Sequence, residues 1–141
     1  MPEEPSPDAV VGLLTDALHG DATRIDELRK TAAQQLQAAG EELRDELRFG
    51  RATVLRVLHD WRAARINDGQ VRCWALLMFT GGFPADTTPH GWRLSDRPID
   101  VEYSDDEEVN EVVFELKDVG DFDDVGRIRR NIDEMIAKLA D

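Results

Sequence analysis

The sequence predicts an all-α fold, a helical bundle of about five or six helices with one long Gly/Pro-containing loop over residues 81–98. Three observations carry this. Apolar residues recur at spacings of three and four through most of the chain. Good helix formers fill the intervals, and Gly20 and Gly81-Gly82 fall where such stretches stop. A single short stretch, Ile99-Asp100-Val101-Glu102-Tyr103, alternates as a strand does, and no second one stands ready to pair with it.

Asp8 to His19 reads as a short amphipathic helix, with Val11, Leu14 and Leu18 on one face and Gly20 as its stop. From Asp21 a narrow stripe continues through Ile25, Leu28, Ala32, Leu36, Ala39, Leu43 and Leu47. Gly40 leaves two readings open: a break between two helices, or a place inside one long helix at a cost of about 1 kcal/mol. Val54, Leu55, Val57, Leu58 and Trp61 mark a stronger helix ending near Arg65, and a turn falls at Ile66-Asn67-Asp68-Gly69. Asn67 and Gln70 have the spacing of an amide capping box in front of Val71–Phe79. That run is apolar on every side, so periodicity leaves buried helix and central strand both open; its Ala, Leu and Met content favours helix. Gly81-Gly82 ends it. The Ile99–Tyr103 stretch then serves as an extended lead-in, and Ser104 with Glu107 forms a capping box for a helix that buries Val109, Val112, Val113 and Leu116. A last helix presents Ile128, Ile132, Met135, Ile136 and Leu139.

A chain of 141 residues fits one domain, expected over residues 8–141, after a disordered, Pro-rich N-terminus at residues 1–7. One cysteine, Cys73, permits no internal disulfide, which points to a reducing cytoplasm. The first residues lack the cationic and apolar regions of a signal peptide, and no apolar run approaches the roughly 18 residues of a membrane span.

The net charge of −13 is unevenly placed, with −3 over residues 1–98 and −10 over residues 99–141. Between Asp100 and Asp124 stand twelve acidic side chains and one basic one, Lys117. Phosphate recognition needs cations, so this segment argues against direct binding of nucleic acid or an anionic membrane and in favour of a basic partner. Glu107, Glu111, Glu115 and Asp118 share one helical face, opposite the valines. Acids at spacing four repel by a few tenths of a kcal/mol per pair, and a purely structural helix would interleave lysines. Asp105, Asp106, Glu108, Asp121, Asp123 and Asp124 widen the acidic set. The plain alternative is that these side chains only solvate the fold. Arg44, Arg48 and Arg51 share a face of the continued stripe, and pairing with the C-terminal acids would be the bland use of them.

No motif for catalysis survives inspection. Asp121-Phe122-Asp123-Asp124-Val125-Gly126 matches an EF-hand loop at positions 1, 3 and 6, but position 5 is Val125 and position 12 is Ile132. The acids there complement a helix N-terminus instead, and no metal is expected. His19, His59 and His90 form no ligand spacing, and Cys73 lies in an apolar run suited to an inert thiol. No Gly-rich phosphate loop and no nucleophile motif occurs, so neither enzyme activity nor a cofactor is expected. Trp61 and Trp74 fall at core spacing. Trp92, in His90-Gly91-Trp92-Arg93 of the long loop, has the composition of an interface residue and joins the binding candidates, although packing over the bundle end is the simpler reading.

Trp61-Arg62-Ala63-Ala64-Arg65-Ile66, Val71, Trp74-Ala75, Ile99-Asp100-Val101-Glu102-Tyr103 and Leu116 with Val119-Gly120-Asp121 give residues 55–140 a layout that resembles the colicin D immunity-like proteins. The resemblance implies a small acidic helical protein of the bacterial cytoplasm that inhibits a nuclease toxin by covering its RNA-binding cleft. The expected function is therefore an acidic protein-binding module, with Glu107, Glu111, Glu115 and Asp118 lining the contact. Two alternatives stay open. One is a helical scaffold in which the Ile25–Leu47 stripe pairs with a second copy as a homodimer; the other is a DNA-mimicking antagonist of a DNA-binding protein.

Overall fold

A computed structural model describes residues 7–31, 33–81, 99, 101–102, 104–117 and 132–140. Among these residues the chain forms seven α-helices and no strand: α1 (Pro7–Leu18), α2 (Ile25–Arg29), α3 (Ala33–Glu42), α4 (Arg51–Arg62), α5 (Asp68–Thr80), α6 (Glu107–Leu116) and α7 (Ile132–Ala140). The protein is an all-α bundle. α1 lies along α3, α2 bridges α1 and α5, and α4 and α6 pack with each other and with α7. α5 touches α2, α4 and α6.

The centre is α5. Val71, Trp74, Ala75, Leu77 and Met78 are fully buried, and Cys73 and Leu76 nearly so, as a helix apolar on all sides requires. Its capping box forms as the Asn67/Gln70 spacing predicts: the Gln70 amide donates to Asn67 Oδ1 and the Asn67 amide to Gln70 Oε1, both at 2.8 Å. Both core tryptophans satisfy their indole N–H while burying the rings. Trp74 donates to the Ala17 carbonyl and Trp61 to the Asp68 carboxylate, each at 2.8 Å.

The stripe from Ile25 divides. α2 ends at Arg29, α3 starts at Ala33, and a single 3₁₀ turn over Arg44–Glu46 follows. With this division the described residues hold seven helices, in keeping with the bundle expected. Gly40 breaks nothing; it sits inside α3, where a Cβ would overlap the Ile99 side chain. Ile25, Leu28, Leu36, Ala39, Leu43 and Leu47 are all buried within the chain's own core. The described side chains of the stripe are therefore packed into the chain's own core.

Three other expectations are corrected. Ser104 does not cap α6. Asp106 does, accepting from the Glu108 amide at 3.0 Å, while Ser104 Oγ accepts from the Asp106 amide, so the helix begins at Glu107. α4 stops at Arg62, short of Arg65, because the Arg65 and Ala64 amides turn back to Asp60 and Trp61 with Ala64 in the left-handed region. Arg44, Arg48 and Arg51 do not share a helix face. They belong to the 3₁₀ turn, to an isolated parallel bridge between Arg48 and Glu102, and to the start of α4.

That bridge is the whole of the extended pairing among the described residues. The Glu102 amide donates to the Leu47 carbonyl at 2.8 Å, with Ile99 and Val101 turned into the core and Glu102 out. The expected disorder of residues 1–7 lies outside the described residues except at Pro7, which opens α1. The long loop beyond Gly81 and the segment 118–131 also lie outside them.

Candidate functional site

α6 is held on one side and open on the other. Val109, Val112, Val113 and Leu116 are buried against the helices around them, which fixes the helix rigidly enough for its outer face to act as a surface. On that face Glu107, Glu111 and Glu115 are exposed, as are Asp105 and Glu108 at the N-terminal end. Glu115 lies eight positions after Glu107 on the helix, so the row is about 12 Å long. The spacing rule that predicted the face is met at these positions.

Asp106 is a different case. Its carboxylate caps α6 and also takes both arms of the Arg51 guanidinium, with Nε at 3.1 Å. Arg51 Nη1 donates as well to the carbonyls of Leu139 and Lys138 at 3.0 and 3.3 Å. One side chain thus joins the start of α4, the start of α6 and the end of α7, where the helix dipole favours a cation. The hydrogen bond from Arg51 holds the Asp106 carboxyl below its ordinary range, against a smaller opposing effect of desolvation. Asp106 is engaged inside the molecule and does not stand free beside Glu107. This is the pairing with a C-terminal acid that the bland reading of the arginines expects, and among the described residues it is seen for Arg51.

Glu111 reaches across to α7, where Lys138 Nζ lies 2.9 Å from its carboxylate with both side chains largely in solvent. The hydrogen bond that Lys138 donates to Glu111 raises the Lys138 pKa against a smaller opposing effect of desolvation, and the field of Glu111, Glu108 and Glu115 adds to the rise. A cleft of about 170 Å³ runs between the two helices, lined by Glu111, Val112, Glu115, Glu134, Met135 and Lys138. Glu134 is therefore part of the acidic surface. Glu134 is not among the acids that the sequence singles out; the α7 register, with Ile132, Met135 and Leu139 inward, is the signal that turns it out.

A second residue was missed. Phe114 is 48% exposed and is the exposed large apolar side chain among the described residues. It falls outside the valine stripe by the same helical spacing that grouped the glutamates, seven residues after Glu107 and three after Glu111. Its ring meets Phe79 of α5 edge to face at 5.4 Å, and Lys117 Nζ stands 4.2 Å from its centroid. Asp118, Asp121, Asp123, Asp124 and Trp92 lie outside the described residues.

Carboxylates in this arrangement suit guanidinium and ammonium groups, and repel phosphate. No family model, curated protein or solved structure matches the chain. No described helix is long and apolar enough to cross a membrane.

Proposed function

We propose that the protein is an acidic protein-binding module, an immunity-like inhibitor that covers the basic nucleic-acid-binding cleft of a toxin nuclease in the bacterial cytoplasm. The observation that carries this reading is the row of exposed carboxylates on α6, mounted on a helix whose other face is buried. A nuclease that grips phosphates clusters Lys and Arg, and a rigid row of carboxylates occupies such a cleft in place of the phosphates while speeding the encounter. The burial of the described residues of the Ile25–Leu47 stripe in the chain's own core favours this reading over a scaffold.

The test is affinity capture from the source lysate at low and moderate salt, with wild type beside a folded Glu107→Lys, Glu111→Lys, Glu115→Lys variant. The expected result is a basic nuclease held by the wild type, lost from the variant and eluted by salt, whose activity the purified wild-type protein then suppresses. Retention of the same proteins by both baits overturns the reading and leaves the acids a solvating role.

A further inference from the structure

We infer that Phe114 is the apolar anchor of this acidic face and that the face takes a cationic amphipathic helix of another protein, with lysines or arginines beside an apolar strip. The inference rests on the reading of the α6 face as a recognition surface and adds what kind of element that surface takes. A purely electrostatic face has no use for a half-exposed phenyl ring. The core does not use it fully either, since Val109, Val112, Val113 and Leu116 already fill the inner face of α6. Yet the ring is held in place, by Phe79 against it at an interplanar angle of 70° and by the Lys117 ammonium at 4.2 Å. A side chain already ordered in the free protein gives up little freedom when a partner covers it. Aromatic residues, Phe among them, are enriched in the cores of interfaces relative to the rest of the surface.

Charge complementarity selects the occupant. Glu107, Glu111 and Glu115 repeat every four residues, or about 6 Å along the axis, which is the repeat of cations at i, i+4 and i+8 on a second helix lying alongside. The apolar side chains next to those cations then meet Phe114. A polycation without apolar residues satisfies the glutamates and leaves the ring in water.

Two labelled peptides of about fifteen residues provide the probe: one of Leu and Lys at amphipathic helical spacing, the other with Ser at every Leu and the same charge. Fluorescence anisotropy at low salt measures their binding to wild type, Phe114→Ala, Phe114→Leu and the triple Glu→Lys variant, each checked for fold by circular dichroism. The expected result is that wild type binds the Leu/Lys peptide about tenfold more tightly than the Ser/Lys peptide. Phe114→Ala abolishes that preference without weakening the Ser/Lys peptide, and Phe114→Leu keeps most of it. If Phe114→Ala changes neither peptide while the triple variant loses both, the anchor is refuted and the acidic face stands. If wild type binds neither peptide, or the triple variant keeps both, the anchor and the acidic face fall together.

Discussion

Ala64 ends α4 at a φ of 61°, a conformation glycine adopts without strain and an alanine does not. The Arg65 amide reaches the Asp60 carbonyl at 2.9 Å and the Ala64 amide reaches Trp61 at 3.0 Å, a Schellman closure built on the wrong residue type. At Gly20 the same closure of α1 is built on the right one. Ala64→Gly relieves the left-handed strain and loses part of that gain to unfolded-state entropy, so a net stabilisation of about 0.5–1 kcal/mol is expected, read as a higher Tm. Asp106 gives a second prediction at this scale. Its folded-state pKa is depressed by Arg51, so its stabilising contribution is present above the unfolded-state carboxylate pKa and is lost as pH falls through the folded value. Asp106→Asn keeps a competent cap and discards the charge. Wild type should therefore exceed this variant in stability at neutral pH, and the difference should shrink below about pH 4 in denaturant titrations across pH.

Elements were legible where a local rule decides them. The amide capping box, the αL stop at Gly20 and the all-apolar run of α5 each act over a few neighbouring residues, and each appears as expected. At the cap of α6 and at Gly40 the deciding partner is distant in sequence. Asp106 displaces Ser104 as the cap of α6 because Arg51, on another helix, fixes its carboxylate there. Gly40 was undecidable because its role is set by Ile99, which enters a slot between Gly40 on α3 and Gly81, the left-handed cap of α5. A Cβ at Gly40 would overlap the Ile99 side chain, and the Ile99 backbone has no room to retreat, since its amide is bonded to the Gly81 carbonyl at 3.2 Å. Gly40→Ala therefore loses more to overpacking than the roughly 1 kcal/mol it gains in helix propensity, for a net destabilisation of about 1 kcal/mol. In an Ile99→Ala background the same substitution should become neutral or stabilising, and a double-mutant cycle by urea unfolding measures that reversal. The candidate site divides in the same way. Helical spacing alone placed Glu107, Glu111 and Glu115 on one exposed face, but Glu134 joins them through the packing of α7 on α6, which no local pattern encodes.

At the scale of the molecule, the question is whether its charge helps or opposes folding. The chain carries −13 overall, with −10 of it in the last 43 residues, and like charges at this density favour the expanded state. The opposing set consists of ion pairs such as Arg62–Asp133 at 3.1 Å and Lys138–Glu111 at 2.9 Å. These are mostly solvent-exposed pairs, and pairs of that kind contribute little to stability. Repulsion should therefore win. Since added salt screens exposed charges beyond about 10 Å at 0.1 M, the Tm should rise as sodium chloride increases from about 0.02 to 0.3 M. Glu107→Lys with Glu115→Lys should raise the low-salt Tm and flatten that dependence, because each change shifts the net charge by two units and neither residue is the ion-pair partner of Lys138. A Tm that falls with salt would reverse the balance and make the ion pairs, above all the Arg51 junction of α4, α6 and α7, the dominant electrostatic influence on the fold.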